Sequence, residues 1–380
     1  MSWAAARPFS PLPRALHPMA WWAWALGMAT AASQTTNPLL LGVLLAVVGY
    51  VVSARRGDAP WARAFSAYLL LGLAVVVIRV VFNALLGAGV GGHVLVVLPQ
   101  ADLPGWAKGI NLGGPVTAEE VLAAVYDGLR LAALICCVGA ANALANPKRA
   151  LRSLPAALYE IGVAVAVALS VAPQLVESVL RVRRARRLRG APGRGLRGVR
   201  AIAMPVLEDA LSRSLRLAAA MDSRGYGRTG DVPAGVRRTT TSLVLGGLTG
   251  LCLGLYGLLD ATAPPLLGFG GTAVGVALCA GGLVLGGRRI TRTRYRPDPW
   301  RLPEWLVALS GVACAAGMLA TAAISPLRLY PSLDPLQWPE LPVLPLLAIL
   351  AGVVPALAAP RQLREPVPAR RSVRVEAAAA

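Results

Sequence analysis

Charge is scarce in this chain. Only 15% of its 380 residues are Asp, Glu, Lys or Arg, where a soluble protein of this size carries about 25%. Histidine occurs twice, as His17 and His93. Neither has a Cys or an acidic cluster nearby, so no metal site is expected. The five cysteines (Cys136, Cys137, Cys252, Cys279 and Cys314) sit in apolar runs and form no CxxC pair. They read as small buried hydrophobes, not as a disulfide framework or a zinc site. Lysine is almost missing: Lys108 and Lys148 stand among 38 basic residues, a composition bias with no functional reading. Catalytic signatures are missing too. There is no GxxxxGK[ST], so the chain does not hold ATP by a P-loop. HExxH, a GxSxG elbow and a DxxDxD-type acidic cluster are absent, and no Ser, His and Asp assemble by inspection into a triad. An enzyme reading therefore has no active site to nominate.

Oil fills the space. Hydrophobic residues make up 56% of the chain, and several charge-free runs of roughly 18 residues or more identify a polytopic membrane protein. Eight spans are predicted, at about Leu16–Ala32, Pro38–Val52, Ala64–Leu86, Thr117–Leu144, Ser242–Leu259, Leu266–Gly287, Trp305–Ile324 and Leu341–Ala359. Arg7 and Arg14 precede a first run rich in Trp that no small-residue cleavage site closes, so it is read as a retained span rather than a signal peptide. A Gly- and Pro-rich loop is expected from Gly87 to Thr117. Thr117 then caps a helix, with Glu120 three residues on.

The net charge of +20 would suggest nucleic acid in a soluble protein. Its placement says otherwise. With the N-terminus in the cytoplasm, 34 of the 38 basic residues fall in cytoplasmic segments, Arg79, Lys108, Arg130 and Arg328 being the exceptions. That is a positive-inside pattern, and it needs no nucleic acid. The helix opened by Pro155 and running to about Gly190 has a charge-free first half, Ile161–Val176. Letting it span would carry the arginine island of 181–189 and the run of 288–296 outward, so it is read as not crossing. The chain divides into a membrane domain (1–145), cytoplasmic helices (146–240), a second membrane domain (241–360) and a basic, Pro-rich tail (361–380) expected to be disordered. Both termini are then cytoplasmic.

Beyond Glu119 and Glu120 at the start of the fourth, three charges lie inside predicted spans: Arg79 in the third, Asp127 and Arg130 in the fourth. Intramembrane charges are costly and are usually paired, so Arg79 with Asp127 is the expected pair. In the cytoplasmic region, the helix of about 201–221 places Leu207, Leu211, Leu215 and Ala218 on one face, away from Glu208, Asp209, Arg213 and Arg216. Two helices end on Arg-Gly: Leu188-Arg189-Gly190 and Ser223-Arg224-Gly225. Arginine suits the negative end of the helix dipole, and glycine suits the left-handed position that follows. A guanidinium fork at a helix tip is also well shaped for an acidic groove on a partner.

At these residues the chain resembles the transmembrane T component of energy-coupling factor (ECF) transporters, of the cobalt-transport (CbiQ-like) type. The likeness covers about residues 12–240. It begins at Leu16-His17-Pro18 and Asn37-Pro38 and strengthens at TAEEVLAAVYDGLRLAALI. It is strongest at VAPQLVESVLRVRRARRLRG and LSRSLRLAAAMDSRGYG. The second carries the family's Ala-Met-x-x-Arg-Gly-Tyr box as Ala220 to Tyr226, with Ser223 in place of Ala; Leu188 replaces Ala in the first triplet.

The resemblance implies an all-α membrane scaffold with long coupling helices between spans four and five, in the plasma membrane. It implies two ABC-type ATPases and a small substrate-binding membrane subunit (the S component) as partners, besides the lipid bilayer. The ATP would be bound by those ATPases, with no cofactor in this chain. Arg189 would dock in one ATPase and Arg224 in the other, with Ala185, Arg187, Ala220 and Met221 supporting the tips. Vitamin or cobalt uptake would be the output. Two other readings stay open here. A lipid-linked transferase would need a buried acidic or His cluster facing the cytoplasm. A channel or secondary carrier would need inverted repeats with broken helices.

Overall fold

A computed structural model describes residues 16–57, 65–86, 92–101, 112–153, 158–190, 195–225, 234–260, 264, 266–287, 299–333 and 335–360. Several features read from the sequence lie outside these residues: Arg7, Arg14, Lys108, Pro155, Tyr226, the arginine run of 288–296 and the tail from Arg361. The protein is an all-α multi-pass membrane protein with one small ribbon of strand. Among the described residues, seven helices are long and apolar enough to cross a membrane, including Ile161–Leu188, which the placement of charge argues against crossing. They form two compact units, residues 1–150 with 298–380, and residues 151–297.

The first unit contains α1 (Pro18–Ser33), α2 (Pro38–Arg55), α3 (Phe65–Leu86), β1 (Val94–Ala101), β2 (Leu112–Thr117) and α4 (Ala118–Leu144). Its later members are α10 (Leu302–Ile324), α11 (Val343–Ala351) and α12 (Val354–Ala358). Proline opens both α1 and α2, where its missing N–H costs nothing. His17 and Asn37 cap them, the His17 ring accepting from the Met19 N–H and the Asn37 side chain from the Leu39 N–H. Thr117 caps α4, its hydroxyl accepting from the Glu120 N–H, as the sequence predicts.

Lipid tails are as apolar as leucine, so burial alone does not bring membrane helices together; close packing and hydrogen bonds do. Here α10 packs against α1 where two glycines meet. A Cβ on Gly27 would lie 2.2 Å from the Gly311 carbonyl oxygen. Trp24 is fully buried at this contact and donates its indole N–H to the Gly352 carbonyl at 3.1 Å. The polar turn between α1 and α2, and the far end of α2, are tied to the same C-terminal part. Thr35 donates to the Leu329 carbonyl at 2.7 Å, Asn37 to the Glu340 carbonyl at 2.7 Å, and Arg55 to the Ala356 carbonyl at 3.0 Å. Met28, Leu44, Val48, Cys137, Cys314, Met318 and Ile349 fill the core between them.

After the short helix α5 (Pro147–Arg152), the second unit contains α6 (Tyr159–Leu188), α7 (Gly195–Asp222), α8 (Ala234–Leu259) and α9 (Gly271–Gly287). α8 and α9 form a tight hairpin. Its seam is glycine from both sides: Gly247, Gly250, Gly254 and Gly257 face Gly268, Gly271, Gly275 and Cys279.

The structure refines the sequence reading in three places. The Gly/Pro-rich loop contains an antiparallel ribbon, β1 with β2, whose pairing no local alternation announces because β2 is Leu-Gly-Gly-Pro-Val-Thr. The predicted first and last spans are short: α1 has 16 residues, about 24 Å of helix, and the last breaks into α11 and α12. The helices after residue 241 also do not gather into one body. α8 and α9 belong with α6 and α7, while α10 to α12 belong with α1 and α2.

Candidate functional site

The two Arg-Gly ends share one local architecture. α6 closes with the Arg189 N–H donating to the Ala185 and Arg186 carbonyls, both at 3.2 Å, and the Gly190 N–H to the Arg187 carbonyl at 3.2 Å. α7 closes with the Arg224 N–H donating to the Met221 carbonyl at 3.1 Å and the Gly225 N–H to the Asp222 carbonyl at 2.9 Å. Gly190 has φ +68° and Gly225 φ +75°, in the left-handed region where a side chain would be strained. Each arginine thus stands one residue before a forced reversal of the chain. Both are exposed, and Leu188 beside Arg189 is 89% exposed. Ala185, Arg187 and Ala220 are exposed and Met221 is half-buried. Ser223 donates its hydroxyl to the Ala220 carbonyl at 3.0 Å, closing the last turn of α7 from within.

What joins α6 to α7 is polar. Ser178, almost fully buried, donates to Asp209 at 2.8 Å. Arg213 donates to the same carboxylate through Nε at 2.9 Å, and its Nη1 reaches Gln174 at 3.5 Å. The Arg213 and Ser178 hydrogen bonds hold the Asp209 carboxyl below the usual carboxylate range. Among the described residues the apolar face of α7 is uncovered: Leu207, Leu211 and Leu215 are about three-fifths exposed, at 62%, 61% and 62%. Of this cluster, the sequence puts Asp209 and Arg213 on the polar face, a pair four apart that one helix turn brings together. It has no signal for Gln174 and Ser178, which lie on the other helix.

The intramembrane charges separate into two sites. Arg79 donates to Asp127 at 3.0 Å between α3 and α4, each side chain about half exposed. They floor a groove of about 300 Å³ lined also by Phe82, Asn83, Leu86, Ala123 and Ala124. Arg130 takes no part. It donates to the Ser33 carbonyl, at the last turn of α1, where a cation meets the negative end of the helix. Arg130 lies one turn further along α4 than Asp127 and serves another helix.

No curated protein sequence matches this chain. The family model described as CbiQ, cobalt transport protein, matches residues 12–233, more than half of the chain and all of α6 and α7.

Proposed function

We propose, because the chain belongs to the CbiQ family of cobalt transport proteins, that it is the transmembrane coupling subunit of an ATP-driven importer. Arg189 docks in a groove of one cytoplasmic ATPase and Arg224 in that of a second. When the ATPases close on ATP, the two tips are drawn together, and the motion passes to a small substrate-binding membrane subunit that carries cobalt or a vitamin. This chain supplies no catalytic step. Its part is to hold two rigid cationic points and to transmit their displacement. The subunit sits in the plasma membrane with both termini in the cytoplasm, in keeping with the placement of its arginines.

One observation carries the reading. Two successive helices end in the same way, with an exposed arginine locked before a left-handed glycine. A helix stop needs the glycine but not the arginine; a docking tip needs both. Buried charge-assisted contacts of arginine with a carboxylate are strong and directional, and reversing one side of such a pair costs more than removing it.

The test is affinity purification in mild detergent of the chain co-expressed with its partners. The unmodified chain is expected to bring down two ATPase subunits, while Arg189→Glu and Arg224→Glu each weaken capture and abolish uptake. A double variant that still captures both ATPases and still transports would end the assignment.

A further inference from the structure

We infer that the β1–β2 ribbon lies in the membrane–water interface, at the level where α3 ends and α4 begins. The argument starts from β1. Val94, Leu95, Val96 and Val97 are 53–70% exposed. Successive residues of a strand point to opposite faces, so four in a row leave both faces of the ribbon uncovered. The two strands, Val-Leu-Val-Val-Leu-Pro-Gln-Ala and Leu-Gly-Gly-Pro-Val-Thr, contain no charged residue. Proteins blunt edge strands that face water with lysine, charge or cover; among the described residues this one has none.

Water is therefore a poor medium for the ribbon, and hydrocarbon is excluded for another reason. The sheet has two strands, so each keeps an open edge of N–H and C=O groups, which cannot be left unpaired in the bilayer core. The headgroup zone satisfies both demands, giving apolar side chains a boundary to enter and backbone groups water and lipid oxygens to bond.

Position agrees. β2 packs beside α3 and α4 and runs directly into α4 at Thr117, while the His93 carbonyl accepts from the Ala118 N–H at 2.8 Å. The ribbon is thus anchored where these two spans end. His93 at its foot is exposed and contacts Glu119 at 2.6 Å, a polar pair that belongs outside the hydrocarbon. Phe82, Leu85 and Leu86, in the last turns of α3, are exposed apolar residues as well.

The experiment uses the full chain in phospholipid nanodiscs, with Cys252 and Cys279 replaced by alanine; the other three cysteines are buried. Spin labels are placed singly at Val96→Cys and Val97→Cys, on opposite faces. Collision with dissolved oxygen and with a water-soluble nickel chelate is measured at each. Both labels should favour oxygen over the chelate and report one shallow depth. A Val97→Trp variant supplies a second readout with a smaller perturbation, its fluorescence expected to be quenched more by lipids brominated near the headgroup than by those brominated deep in the chain. Chelate in excess of oxygen at either label would place the ribbon in water. Exclusion of both reagents would mean that protein covers it. Either result overturns the inference.

Discussion

Gly190 and Gly225 set where the chain turns after the arginines before them. At φ +68° and +75°, a residue with a Cβ is disfavoured by about 1–2 kcal/mol, and a β-branched one by more. Gly225→Val should therefore fray the last turn of α7 and reduce uptake while leaving membrane insertion intact. Gly225→Asn, which tolerates the left-handed region, should keep most of it. Uptake equal in the two variants would show that the conformation of this glycine does not matter. Among the described residues nothing lies within 4 Å of the added Cβ, so the result reports backbone conformation and not a clash. Arg79 and Asp127 offer the second residue-scale test. A lone charge at a span's centre costs about 2.5–3.5 kcal/mol. Arg79→Asp or Asp127→Arg alone should lower the melting temperature in detergent, and the double swap should restore most of the loss. A double swap no better than either single change would show that the contact is not stabilising. Both the Arg-Gly ends and this pair were legible in the sequence, the first because a helix stop is local, the second because charges are rare in apolar runs. The Arg130–Ser33 contact was not, since it depends on how α1 meets α4 across 97 positions.

At the scale of elements, the α8–α9 hairpin and the α6–α7 pair are held in opposite ways. The hairpin has backbone against backbone: a Cβ on Gly254 would lie 2.2 Å from the Thr272 nitrogen, and one on Gly275 2.5 Å from the Leu251 nitrogen. Gly254→Ala or Gly275→Ala must push the helices apart, at about 1–3 kcal/mol for each overpacked site. Gly246 and Gly281 lie on the same helices with nothing within 4 Å, so alanine there should be neutral or slightly stabilising, as helix propensity favours it. Equal melting temperatures for the four variants would refute the seam. The α6–α7 pair instead rests on Asp209. Because its carboxyl is held below the usual range by Arg213 and Ser178, its contribution is fully present above the unfolded value of about 3.9 and is lost as pH falls through the lower folded value. A spin-pair distance between the two helices should accordingly stay constant from pH 6 to 9 and lengthen only in acid below about pH 4, and Asp209→Asn should remove that dependence. The periodicity of α7 announced its apolar stripe. It could not say that the polar face would turn to α6, because Ser178 and Gln174 become partners only when the two helices pair.

For the whole molecule, the family likeness and the packing have different limits. The matched region ends at residue 233, yet the first unit is completed by residues from 298 onward. Eight apolar runs were legible one by one, but hydropathy is silent about which runs touch: a span facing lipid and a span facing another span have the same composition. The contact of α1 with α10 rests on Gly27 meeting Gly311 and on Trp24 reaching the Gly352 carbonyl, features that mean nothing until both helices are in place. The consequence can be measured. A chain stopped after residue 297 retains α1 to α4 but leaves the Thr35, Asn37 and Arg55 side chains without the Leu329, Glu340 and Ala356 carbonyls. Each hydrogen bond contributes about 0.6 kcal/mol in a membrane setting, occasionally up to about 1.7, and the helix seam is lost with them. The shortened chain should insert but show rapid proteolysis and no cooperative melt. Co-expression of residues 298–380 as a separate chain should restore the melt, because the lost contacts need no covalent link. A truncated chain as stable as the full one would mean that α10 to α12 are an appendage to a self-sufficient core, the reverse of what the packing requires.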